Sequence, residues 1–380
     1  MTRFIYLDNA ATTPMHPEVV EAMHPILLQT FGNPSSTHRF GRNARQVVEA
    51  SRETIAKHLG ANASELVFTS GGTEADNMAI FGVAFANQER GKHIITSQIE
   101  HHAVLHACMR LEQLGFEVTY LPVDETGMVH FEQLQDAVRE DTILVTIMYG
   151  NNEVGTIQPI RQIGEFLREK GIIFHTDAVQ AYGIERIKAG ELPVDLLSIS
   201  AHKINGPKGV GALYMSRKVK MDPYAYGGSQ ERKRRAGTEN VAGIAGFAAA
   251  VQLMSEERLA RREKYEAMRE AMLAIWREAG INFTINGQIE HSLPHILNVS
   301  FIGIDTETML MNLDLEGIAA ASGSACTSGS LERSHVLIAM NLSEDRADSA
   351  IRFSFGITNT LEEVEEAAQR VVKIVKRLIK

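Results

Sequence analysis

Cysteine is almost missing from this chain: Cys108 and Cys326 are the only two in 380 residues. Two thiols cannot build a disulfide framework, so a reduced, cytoplasmic protein is expected, with thiols that matter singly. Positive charge is also in deficit, with 38 Lys and Arg against 47 Asp and Glu, a formal net charge of -9. A dedicated nucleic-acid binder carries the opposite balance to neutralise phosphates, so direct nucleic-acid binding is not expected. Long apolar runs are lacking too. The most apolar stretch, Ala242 to Met254, is interrupted by Gln252 and falls short of the ~20 residues of a membrane span. From Met1 the chain reaches Asp8 before any apolar region builds up, which predicts no signal peptide. What is present, 44% hydrophobic and 22% charged residues, is the composition of an ordinary globule. The length favours two domains over one.

Apolar runs of strand length alternate with helical patterns through the first two thirds of the chain, the signature of βα units. Strands are expected at 65–69, 93–97, 117–122, 143–148, 172–176, 196–200 and 211–215, after helices and loops over 19–60. A long helical pattern rich in Glu, Arg and Met covers 241–279. It is followed by a strand-like 297–301, a helix around 305–313 and a closing helix over 361–380. The fold class is α/β, with a mostly parallel seven-stranded sheet flanked by helices and a smaller α+β domain. A composition change near residue 257 divides the chain into a large domain, 14–257, and a small one made of 1–13 and 258–380. The charges of 373–380 alternate with apolar residues at helical spacing, which reads as the solvated face of an amphipathic helix.

Three short segments carry chemistry. Phe68-Thr-Ser-Gly71-Gly72-Thr73-Glu74 sets two glycines and a hydroxyl between a strand and a helix, where free backbone N–H groups and the helix dipole bind anions. The same tripeptide is also an ordinary turn and N-cap. Ser198-Ile-Ser200-Ala-His202-Lys203 puts a lysine just past an apolar run, where partial desolvation favours a nucleophilic amine. Ser200 and His202 flank it and could bond a phosphate. The bland alternative is a surface lysine in a Gly/Pro loop, as Lys208 is read to be. Phe174-His-Thr-Asp177-Ala-Val-Gln180 ends a strand with an acid, at the pole where open α/β sheets bind ligands. Such an acid could hold a pyridine nitrogen protonated, or merely cap a helix. His101, in Glu100-His101-His102, could cover a ring. His102 and His106 share a helix face, but no further ligand-spaced group joins Glu100 beside them, so no metal site is expected.

Taken together and in this order, these segments resemble the fold-type I pyridoxal enzymes, and within them the NifS/IscS-like cysteine desulfurases. The resemblance also covers Tyr6-Leu-Asp8-Asn-Ala-Ala-Thr-Thr-Pro14, Gly32-Asn33-Pro34-Ser-Ser36, Asn151-Asn152-Glu153-Val-Gly155 and Arg235-Ala-Gly237-Thr238-Glu-Asn240. It implies pyridoxal 5'-phosphate as cofactor and Lys203 as its Schiff-base lysine. It further implies Asp177 on the pyridine nitrogen, His101 on the ring, and Asn152 and Gln180 near the ring hydroxyl. Gly72, Thr73, Ser200 and His202 would bind the phosphate. Thr238 would reach the phosphate of the other subunit of a homodimer, giving the cluster Arg232-Lys-Arg-Arg235 a local role. Arg352 would clamp the carboxylate of L-cysteine, with Asn33 and Asn152 nearby, and His101 would carry a proton with a pKa near neutrality.

Desulfuration needs a thiol that can reach the substrate sulfur and leave with it. Cys326 stands in Ser322-Gly-Ser-Ala-Cys326-Thr-Ser-Gly-Ser330, a composition that supplies flexibility. Cys108 lies among apolar residues of a helical pattern and reads as structural. The loop, about 322–334, is similar to the long-loop group that passes a persulfide to an acceptor protein, here a tRNA thiouridylase or an iron–sulfur scaffold. The overall look is closest to the partners of a tRNA 2-thiouridine synthase. A selenocysteine lyase, or another lyase or aminotransferase of the same fold, is the alternative. One departure from the family pattern is Arg333 where proline is usual, expected to loosen the trailing end of the loop or alter its partner face.

Overall fold

Where a strand is covered by helices on both sides its residues are apolar throughout, and that pattern builds the centre of this chain. The computed structural model describes residues 4–323 and 333–379. Cys326 therefore lies outside the described residues. The described strands are β1 (Ile5–Tyr6), β2 (Leu66–Thr69), β3 (His93–Ser97), β4 (Glu117–Leu121), β5 (Thr142–Thr146), β6 (Ile173–Asp177), β7 (Leu196–Ser200), β8 (Gly211–Met215), β9 (Thr284–Asn286), β10 (Ile296–Ser300), β11 (Ile318–Ala319) and β12 (Ala350–Ser354). Strands β2 to β8 form one seven-stranded sheet in the order β2-β8-β7-β6-β5-β3-β4. Only β8 runs against its neighbours, so the carboxyl ends of the other six share one pole. Five of the seven are buried at every residue, whereas β4 is the more exposed edge.

All seven expected strands form, within two residues of their predicted ends. The expected strand 143–148 stops at Thr146, because the Met148 N–H donates to the buried Glu100 carboxylate at 2.9 Å instead of to a strand. The long helix runs Val241–Glu278, the next Thr306–Leu315 on an Asp305 cap, and the last Leu361–Leu378 behind a Thr360/Glu363 capping box. Strands β1, β9, β11 and β12 were not expected. The first pairs with β11, and β12-β10-β9 form a second, antiparallel sheet. Trp276 anchors the helices on this sheet: it is fully buried against Phe283, Phe301 and Phe353 at 5.4–5.6 Å, and its indole N–H donates to Ala368 O. Residue 257, the expected domain boundary, falls inside Val241–Glu278, which packs against helices Pro17–Gln29, Arg39–His58 and Leu361–Leu378.

A buried ion pair ties the outer helix to the big sheet. Both guanidinium nitrogens of Arg52 meet Glu231, at 2.7 and 2.6 Å, and the same carboxylate accepts from Phe68 N on β2. Glu231, Arg232 and Lys233 all have positive φ, a costly turn for side-chain-bearing residues, which this pair holds in place. Arg235 forks onto Glu74 and Arg234 donates to Ser64 O, so this basic cluster is engaged locally. Removing one partner strands the other as an uncompensated buried charge. Arg52→Ala is therefore expected to lower unfolding stability by about 3–5 kcal/mol, read as the midpoint of a urea transition. A loss under about 1 kcal/mol would mean the pair is solvated in solution.

Candidate active site

The shared pole of the sheet opens into a cavity of about 360 Å³. Each wall is a residue that leaves the carboxyl end of a strand. After β2 come Gly72 and Thr73, opening the helix Gly72–Asn87, whose first N–H groups have no helical acceptor. Gly211 on β8 lets this turn come close: a Cβ there would stand 2.8 Å from Gly71 Cα. After β3 comes His101, after β5 Asn152, at the end of β6 Asp177 with Gln180 beyond, and after β7 Ser200, His202 and Lys203. Arg352, on β12, closes the cavity from the second sheet.

The residues are held, each by an identifiable partner. Asp177 accepts from Val179 N at 2.8 Å, and burial pushes its carboxyl above the usual range. His101 caps the helix His102–Gln113, its Nδ1 accepting from Ala103 N, so the neutral ring carries its proton on Nε2. His101 thus both caps this helix and lines the cavity. Burial first, then the Lys203 charge, push its pKa down to about 4, which corrects the near-neutral value expected from sequence. The Lys203 ammonium donates to Ala10 O at 2.5 Å and Ala11 O at 2.8 Å. Arg352 is bound through Nη2 to Asp8 at 2.9 Å and through Nη1 to Asn152 O, while its Nε has no hydrogen-bond partner among the described residues. Burial pushes the Cys108 thiol up, away from the reactive thiolate and in keeping with its structural reading.

Two expected residues do not line this cavity. Asn33 and Thr238 are exposed, and Asn33 Oδ1 accepts from Ser35 N. Three others reach the site without having been singled out. Asp76, fully buried on the first helix, lines the cavity 3.6 Å from His175 Nε2, and burial beside Asp177 drives its carboxyl well up. An acid on an otherwise apolar helix face was its available signal. Ala10 and Asp8 come from the start of the chain, and their partners lie about 190 and 340 residues away. Arg333, where proline is usual, forks onto Asp348 at 2.6 and 2.8 Å and reaches Glu344.

A mostly parallel sheet whose carboxyl ends gather an acid, a lysine, a histidine and a glycine turn is the arrangement of the fold-type I pyridoxal-phosphate enzymes. The chain belongs to the aminotransferase class-V family, which it matches over residues 5–367, a family that depends on pyridoxal phosphate. It is 56% identical to the protein called IscS 1 in Bacillus subtilis (strain 168), over 98% of this chain and 99% of that one. To the cysteine desulfurase IscS of Dictyoglomus turgidum it is 50% identical, over 100% of this chain and 96% of that one. Among solved structures it superposes on a NifS-like protein with a TM-score of 0.93 and 39% identity, over 99% of this chain and 100% of the other.

The depressed histidine gives a direct test. In the unfolded chain His101 titrates near 6.5 and in the folded chain near 4. The unfolded state therefore binds the proton first, and the stability this residue contributes is complete above about 6.5 and lost as pH falls toward 4. In the cofactor-free protein the His101 ring resonances should titrate with a midpoint below about 5, and Lys203→Met should raise that midpoint. A midpoint at or above about 6.5 contradicts the burial described here.

Proposed function

We propose that this chain is a pyridoxal-phosphate-dependent cysteine desulfurase, which converts L-cysteine to L-alanine and takes the sulfur as a persulfide on Cys326. The observation that carries the reading is the convergence of Lys203, Asp177, His101 and Arg352 on one cavity beside the Gly72-Thr73 turn. The residues fit the cofactor. The Ser200 hydroxyl is buried without a hydrogen-bond partner among the described residues, and Ser200 lines the same cavity as the anion-binding turn, Thr73 and His202, a donor set suited to a phosphate. Asp177, at the end of β6, would pair with a pyridine N–H, and Lys203 would hold the aldehyde carbon covalently. Bound there, the cofactor supplies an electron sink that makes the Cα proton removable and weakens the Cβ–S bond.

The chain's own residues do the rest. Arg352, presenting a buried guanidinium with Nε unengaged, orients the substrate carboxylate through a planar fork, with Asn152 beside it. Lys203, with its amine free, would take the proton from Cα. His101, neutral with its proton on Nε2, would give that proton up at the substrate sulfur and take it back. The Cys326 thiolate forms a bond to that sulfur as the Cβ–S bond breaks. The bonding pair stays with carbon, which takes up a proton to become the methyl group of alanine. The exposed Thr238 serves the partner subunit of a homodimer, with Asn33 near the carboxylate. The persulfide then passes to an acceptor protein of tRNA thiolation or iron–sulfur assembly. In this reading residues 14–257 form the cofactor domain and the remainder the small domain, joined through the long helix.

Cofactor-loaded protein given L-cysteine and a reductant should yield alanine and sulfide in equal amounts. Lys203→Ala should abolish turnover. Cys326→Ala should still bind L-cysteine, because Arg352 and Asp177 are intact, yet form no alanine at an appreciable rate. Cys108→Ala should turn over normally and lose on the order of 1 kcal/mol of stability. Undiminished alanine from Cys326→Ala, or radiolabelled sulfur recovered on Cys108, overturns the persulfide assignment.

A further inference from the structure

A second cavity of about 20 Å³ shares Lys203 and Gln180 with the first and is lined on its other sides by Asn9, Tyr182, His295 and Arg261. Besides Arg261 Nη2, which is ion-paired with Glu257 at 2.9 Å, three side-chain atoms of these residues are buried with no hydrogen-bond partner among the described residues: Asn9 Oδ1, Tyr182 Oη and His295 Nδ1. Their residues are only 3%, 4% and 7% exposed, so bulk solvent does not satisfy them. Buried polar atoms are otherwise almost always paired.

The donor and acceptor character of each atom is fixed by what surrounds it. Asn9 Nδ2 donates to Tyr6 O, Ser354 O and Asn359 Oδ1, which leaves Oδ1 as the acceptor. Gln180 Nε2 donates to Ala10 O at 2.8 Å, so the atom it turns to His295 Nε2 at 3.3 Å is its carbonyl oxygen. That oxygen requires a proton on His295 Nε2, leaving a lone pair on Nδ1. Burial, and then the charges of Lys203, Arg352 and Arg269, keep this ring neutral, with a pKa near 3. One hydroxyl donor and two acceptors thus belong to residues that line a space larger than the roughly 10–15 Å³ a single water needs.

We propose that one ordered water molecule binds in this cavity, accepting from the Tyr182 hydroxyl and donating to Asn9 Oδ1 and His295 Nδ1. A halide would meet two lone pairs, and a cation would sit beside the Arg261 guanidinium with two neutral acceptors. Water satisfies all three atoms. The water makes His295 a positioning residue. It fixes the Nε2–H form that holds Gln180, which in turn shares the Ala10 carbonyl with the Lys203 amine. The water site stands on the cavity alone, while its effect on cofactor binding rests on the pyridoxal reading of Gln180 and Lys203.

A high-resolution crystal structure of the holoenzyme should contain a water within about 3.2 Å of all three atoms, and nitrogen NMR of His295 should show Nδ1 unprotonated. Cofactor affinity, followed by fluorescence, should fall roughly tenfold in His295→Phe, the cost of one buried hydrogen bond. It should recover in His295→Gln, which can still donate to Gln180. Should His295→Phe not fold, Tyr182→Phe, which removes a single oxygen, provides the same comparison. No density peak, a peak touching fewer than two of the atoms, or a halide or metal in its place overturns the water site. Unchanged cofactor affinity in the folded variant overturns the positioning role. A holoenzyme that contains the water but releases no sulfide from cysteine overturns the desulfurase reading alone.

Discussion

Everything at this site depends on how two cations, one buried and one half-buried, find their oxygens. Arg352 comes from the small sheet and Lys203 from the loop after β7, and both are met by the same short segment near the start of the chain. Asp8 takes the guanidinium, and the carbonyls of Ala10 and Ala11 take the ammonium. The segment is itself fixed at both ends: Asp8 bridges to Ser354 on β12, while Thr13 N–H and hydroxyl donate to His202 O. A cation held by carbonyls and one carboxylate keeps much of its attraction for an incoming anion, because the neutral acceptors do not cancel its charge. The strap therefore sets the spacing between the group that would bind a cofactor and the group that would bind a substrate carboxylate, holding the first through backbone carbonyls and the second through the Asp8 side chain.

The histidines around the cavity work in the same direction by staying uncharged. Burial pushes His101 and His202 down to about 4 and His175 and His295 down to about 3. Four rings then serve as fixed hydrogen-bonding groups: His175 between Thr146 and Ser198, His202 against Thr12, His295 against Gln180, His101 on its helix. With these rings neutral, the cationic side chains among the described residues that line the cavity are Lys203 and Arg352, two points with separate targets. Buried carboxyls balance this. Glu100 is pushed up to about 8, so it adds no full negative charge beside Asp177 at neutral pH, and burial drives the Asp76 carboxyl up in the same direction.

The seven-stranded sheet was legible in the sequence because its strands are buried on both faces and so read as continuous apolar runs. The glycine turn, Asp177 and Lys203 were legible because each follows such a run directly. What escaped has a common physical reason. Strands β1 and β11 are two residues long, below any period that a pattern can display. Asp8, Asn9 and His295 acquire their roles from partners more than a hundred residues away, and local composition carries no trace of such contacts. The depressed pKa of His101 likewise follows from its burial and from Lys203, which only the folded chain brings together.

The same reasoning bears on the residues that border the Cys326 segment. Gly323 has φ of +91°, and a Cβ there would stand 2.4 Å from Glu153 Oε2, so glycine is required both by conformation and by contact. Ser334, on the far side, donates to that same carboxylate oxygen at 2.5 Å while capping the helix His335–Ala339. Glu153 is fully buried, and burial raises its carboxyl despite Ser334 and Arg352. One buried acid thus touches both borders of the segment, and Arg333 is tied outward to Asp348 and Glu344. A thiol that must visit a substrate and then an acceptor needs freedom in its own loop but fixed points of departure, since every ångström of play at the borders is added to the play at the sulfur. The structure supplies those fixed points from the Asn151-Asn152-Glu153 segment, which also lends Asn152 to the cavity and its carbonyl to Arg352, so the borders of the loop and the proposed carboxylate clamp share one rigid base.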